Sequence, residues 1–111
     1  MKFKDYLTEG VNDNSLSKLI PNAIGMVSKS HVWHLLTRSG QKHSALKEFY
    51  ECLQEESDEL AEKYISQGGQ LLPCEIMIDV NPSDSNILNQ VENFREDVSR
   101  CIDEIKDDSR L

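Results

Sequence analysis

Side chains able to bind metals or move protons crowd the middle of this chain. Three histidines (His31, His34 and His43) fall within thirteen residues, and seven of the fifteen residues from Glu48 to Glu62 are acidic. Imidazole nitrogen with carboxylate oxygen is a ligand set that suits iron. His31 and His34, at i and i+3 in His31-Val32-Trp33-His34, can chelate a metal by themselves, but a two-ligand pair is weak; on a half-buried helix face such histidines also serve as hydrogen-bonded packing residues. The three cysteines, Cys52, Cys74 and Cys101, form no CxxC pair and leave one odd thiol. Their spacing to the histidines is not that of a zinc finger, so they read as reduced thiols. No glycine-rich phosphate loop, nucleophile elbow or HExxH sequence is present, and nucleophilic catalysis has no motif to rest on.

Helices must position these groups. Leu16, Leu19, Ile20, Ala23, Ile24, Val27, His31 and Leu35 recur at threes and fours, which predicts a helix from about Ser15 to Arg38. Asn14 or Ser15 can cap it, and Pro21 either kinks it or resets its start. After a Ser39-Gly40 turn, the stripe Leu46, Phe49, Tyr50, Leu53, Leu60, Ala61, Tyr64 predicts a second helix, about Gln41 to Gln67, with Glu48, Glu51, Glu55, Glu56 and Glu59 mostly off the stripe. Gly68-Gly69 stops it. Residues 70–82 are a connector: Glu75 to Val80 can pair as a short strand, or run as an extended loop between Pro73 and Pro82. A third helix starts near Ser83-Asp84-Ser85 and reaches about Lys106, with a heptad-like seam through Ile87, Val91, Phe94, Val98, Cys101 and Ile105. The reading is all-α with three main helices.

Bulk properties fit one domain. The chain has 111 residues, 38% of them hydrophobic and 29% charged, with a formal net charge of −8. An acidic chain is poorly suited to bind a phosphate backbone unaided, which takes clustered lysine and arginine. No apolar run approaches the ~20 residues of a membrane span, and no signal-peptide core follows Met1.

His43 follows His31 by twelve residues, Asp58 follows His43 by fifteen, Glu62 comes four later, and Gly68-Gly69 closes the segment. This pattern resembles the Dps branch of the ferritin superfamily, the starvation-induced mini-ferritins. Trp33 near the first histidine and Ala61-Glu62-Lys63 add to the likeness, which spans about forty residues. The resemblance implies a ferritin-like helical bundle and an iron site at a two-fold interface, with His31 and His43 from one subunit and Asp58 and Glu62 from the other. It also implies a ferroxidase where the site is complete. Lys47 stands four residues after the second histidine, where the family usually carries a carboxylate; an ammonium has no lone pair for a metal. The family subunit has four helices. Here the fourth element is short, or a partner subunit supplies it, and an exposed apolar edge favours a homo-oligomer, a dimer or higher.

The N-terminus carries a second resemblance. Lys2 to Tyr6, with Phe3, Tyr6 and Leu7 at i, i+3 and i+4, followed by Leu7-Thr8-Glu9-Gly10, resembles the packaging tag of T-even-like phage internal head proteins. That likeness implies cleavage between Glu9 and Gly10 by a head-maturation protease, with residues 1–10 as a capsid-targeting peptide and residues 11–111 as a single ferritin-like helical domain. It implies a place in the host cytoplasm or the virion interior. The function expected is a non-enzymatic phage accessory protein that binds a host or phage macromolecule, a protein rather than nucleic acid, with Glu48, Glu51, Glu55 and Glu59 as the contact face. A diminished mini-ferritin that binds or oxidises iron is the alternative.

Overall fold

The computed structural model describes residues 16–107. They form three α-helices, α1 over Leu16–Leu36, α2 over Gly40–Ser66 and α3 over Asp84–Asp107, and no strand occurs among the described residues. The helix bounds fall within two residues of those read from periodicity. The amphipathic peptide of residues 2–9 and the caps Asn14 and Ser15 lie outside the described residues.

Each helix end has a local cause. Ser39 caps α2, its Oγ accepting from the Lys42 amide at 3.3 Å. Ser83 does the same for α3, accepting from the Asn86 amide at 3.1 Å, and Asp84 in the first turn suits the positive end of the helix dipole. At the end of α2, Gly68 adopts φ 93° and donates to the Ile65 carbonyl, while Gly69 donates to that of Tyr64. This double return is a Schellman cap, and it explains the Gly-Gly stop from backbone geometry alone. Gly69 has a second reason: a Cβ there would lie 2.5 Å from the Tyr64 ring.

α1 begins five residues before Pro21 and continues past it. Proline has no N–H, so the Ser17 carbonyl loses its helical donor. The amide of Leu72 in the connector takes that carbonyl at 3.0 Å. The same residue anchors α2, its Oγ lying 2.6 Å from the buried Tyr64 hydroxyl.

α1 is the hub. It packs along α2 and, over a smaller area, against α3, while α2 and α3 scarcely meet. Ser17 beside Tyr64 and His34 beside His43 make α1 and α2 antiparallel. Lys29 donates to Gln90 at 3.0 Å, and Lys18 and Asn22 share a small crevice with Arg100 and Glu104, so α3 is also antiparallel to α1. Most of the core belongs to α1: Leu19, Ile20, Ala23, Met26 and Trp33 are buried, joined by Tyr64 and Cys101.

Between α2 and α3 the connector is neither strand nor slack loop. Leu72 is tied to Ser17, Ile76 covers Gly25, and the Trp33 indole Nε1 donates to the Asp79 carbonyl at 3.0 Å. Three anchors therefore run along α1 in order. The sixteen helical steps from Ser17 to Trp33 span about 24 Å, and the seven steps from Leu72 to Asp79 span about 23 Å when extended. The connector is an extended strap that crosses the molecule from the start of α1 to its end. It delivers α3 beside the first turns of α2, where Lys42 pairs with Asp84 at 2.5 Å.

Candidate functional site

The three histidines meet at the α1–α2 turn. His34 is buried, and its Nδ1 lies 2.8 Å from the His43 carbonyl; the His43 Nδ1 lies 3.0 Å from the His34 carbonyl. A carbonyl can only accept, so both rings carry the proton on Nδ1. The two rings stack with centroids 3.7 Å apart. His31 is exposed and stacks on Tyr50 at 4.5 Å, and Tyr50 meets His34 edge-on at 5.4 Å. The arrangement gives a donor to a carbonyl in the last turn of α1, adds a second to a carbonyl in the first turn of α2, and locks the hairpin. It leaves Nε2 of the exposed His43 ring without a hydrogen bond to any described residue.

Of the residues that carry the Dps likeness, the fold brings His31 and His43 into this one cluster, both within stacking range of His34. Asp58 and Glu62 are exposed on the same helix as His43 but roughly 22 and 28 Å further along its axis at helical rise. A single subunit therefore does not assemble the four, and no group of three or more His, Cys, Asp or Glu side chains able to hold a metal occurs among the described residues. Lys47 faces its own helix neighbour, 3.9 Å from Glu51. Glu48, Glu51, Glu55 and Glu59 are all exposed, at three- and four-residue spacing along one side of α2. The processing residues Glu9 and Gly10 lie outside the described residues.

A second feature has no counterpart in the sequence reading. Where the strap delivers α3, the end of α1 and the starts of α2 and α3 enclose a half-open cleft of about 590 Å³. Trp33 forms its floor, with Leu36, Leu46, Ile87 and Leu88 on the walls and Val80 of the strap at one side. Arg38, Lys42 and Asp84 stand at the mouth. Leu88 and Val80 remain 68% and 67% exposed. The cleft needs the strap's path, because only that crossing places Val80, Ile87 and Leu88 opposite Leu36 and Leu46. Periodicity within one element carries no such information. The only signal available was the apolar pair Ile87-Leu88, of which Leu88 lies off the heptad seam.

No described helix is long and apolar enough to cross a membrane. Comparison of the chain with protein-family models, with curated proteins and with solved structures finds no match in any of the three.

Proposed function

We propose that this chain is a non-enzymatic binding protein, an accessory of a tailed phage carried in the head, which meets a basic protein partner from host or phage. The observation that carries the binding role is the acidic row on α2: Glu48, Glu51, Glu55 and Glu59 all point into solvent while α1 packs against the opposite side of their helix. Like charges held in register on a rigid rod project a field that steers a basic partner, and charge reversal there should slow association more than it speeds dissociation. Packaging rests on the likeness of Leu7-Thr8-Glu9-Gly10 to a processing site. Its test is the intact mass of the protein recovered from purified virions. A species lacking residues 1–9 is the expected result; recovery of only the uncut chain, or none within virions, sinks the packaging role.

A specific observation keeps a second reading. The His43 Nδ1 proton is committed to a backbone carbonyl, the arrangement that orients an imidazole for metal binding through Nε2. The order of two antiparallel helices, one long crossover and a third helix parallel to the second also fits a ferritin-like plan with one crossover connection. On this reading His31 and His43 hold iron with Asp58 and Glu62 from a second subunit of a homo-oligomer. Fe(II) titration of the native protein, with the His31→Ala/His43→Ala double variant as control, decides it. Stoichiometric iron lost in the variant is expected, whereas equal uptake by both proteins rejects the site.

A further inference from the structure

We propose that the cleft at the meeting of α1, α2, α3 and the strap is a binding site for a small amphipathic anion, an aliphatic or aromatic body bearing one carboxylate or similar head. Its volume, about 590 Å³, is that of sites that enclose small organic ligands, and apolar side chains dominate its lining. The floor is chemically inert. The Trp33 indole N–H is already spent on the Asp79 carbonyl, so the ring offers only its apolar surface to an occupant. Leu36 and Leu88 on the walls are exposed, and covering them removes apolar area from water.

Charge selects the head group. The molecule as a whole is acidic, with a net charge of −8, yet two of the three ionic groups at this mouth are cationic. Lys42 is engaged by Asp84 at 2.5 Å. Arg38 is exposed and has no ion pair or hydrogen bond through its side chain to any described residue. Its guanidinium is the one cation at the mouth left to receive an oxyanion, and its planar fork suits a carboxylate in a bidentate pair. The site thus pairs an apolar slot with a single unspent cation.

The sequence supplies the reporter, because Trp33 is the only tryptophan in the chain. Full-length protein is titrated with decanoate below its critical micelle concentration, following Trp33 emission and heat release, with decanol and decyltrimethylammonium as head-group comparisons. Saturable binding of one decanoate per chain is expected. Arg38→Gln, a surface change, should weaken it about tenfold, the scale of a charged hydrogen bond. Leu88→Glu, also at a surface position, should abolish it, with unchanged far-UV circular dichroism showing that the helices persist. Decyltrimethylammonium should bind at least tenfold more weakly than decanoate. No saturable signal, or equal affinity for the three head groups, or no loss in Arg38→Gln overturns the assignment. Sedimentation in the same samples separates the remaining occupant: a dimer that dissociates on dilution and that decanoate does not displace means a second copy fills the cleft, and the assignment falls.

Discussion

Ser17 concentrates two jobs in one small side chain and its carbonyl. Pro21 four residues later strips that carbonyl of its helical donor, Leu72 replaces the donor, and the hydroxyl meets Tyr64 in the buried end of the hairpin. Ser17→Ala keeps the backbone bond and deletes the hydroxyl, so the expected loss is about 1–2 kcal/mol. Urea denaturation reads it directly; a change below about 0.5 kcal/mol, within the scatter of ordinary surface substitutions, would mean the Ser17–Tyr64 contact carries nothing. His34 shows the same economy at the other end, where ring stacking and two ring-to-carbonyl bonds close the α1–α2 turn. His34→Leu retains bulk but leaves the His43 carbonyl without its imidazole donor, and a loss of about 1–3 kcal/mol is expected. Differential scanning calorimetry against His31→Leu, an exposed position, separates locking from general surface effects.

Among the elements, the strap is the most informative, and Gly25 is its seat. A Cβ at Gly25 would stand 3.1 Å from Ile76, whose side chain is itself partly exposed and can shift. Gly25→Ala therefore trades slight crowding against better helix propensity, and stability should move by no more than about 1 kcal/mol. Gly25→Leu leaves Ile76 no room. Limited proteolysis should then open the chain between residues 72 and 79 while helicity is kept; a protected strap would refute this account of the glycine. The helices were readable from sequence because each signal was local. Apolar residues at threes and fours, Ser39-Gly40 as a turn, Ser83-Asp84-Ser85 as a start and Gly68-Gly69 as a stop all act locally along the chain. The strap was not, because its extended course depends on a carbonyl that Pro21 frees, an indole N–H from Trp33 and a gap at Gly25, all on a different element. Sequence left residues 75–80 open between strand and loop, and the answer lies in partners 46 to 55 residues away. The four residues of the Dps likeness could be read as a spacing only, since joining them takes a second chain.

At the scale of the whole molecule, stability should be uneven. α1 is sandwiched, α2 is tied to it at both ends, and α3 leans mainly on α1, meeting α2 only near the Lys42–Asp84 pair, through a seam in which Val91, Phe94 and Val98 stay partly exposed. Native-state hydrogen exchange should show amides of α3 opening at lower free energy than those of α1, with the α1–α2 hairpin as the last unit to unfold. Uniform protection across the three helices would instead indicate that another chain covers the α3 seam. That outcome would favour the oligomer expected from an incomplete bundle. It would also bear on the cleft, whose walls come partly from α3. The same asymmetry bears on the proposed binding role: the acidic row rides on the well-anchored α2, so its charges keep their register whatever α3 does.

The strap also acts as a ruler. Its three anchors use nearly the full reach of the backbone between Leu72 and Asp79, so this stretch has no spare length. Sequence drift here is free to change letters but not their number. One deleted residue would draw the start of α3 about 3.3 Å along α1, parting Lys42 from Asp84 and misaligning the seam. An insertion would instead have to bulge outward from the helix. Among descendants of this gene, length variation should stop at the borders of the strap.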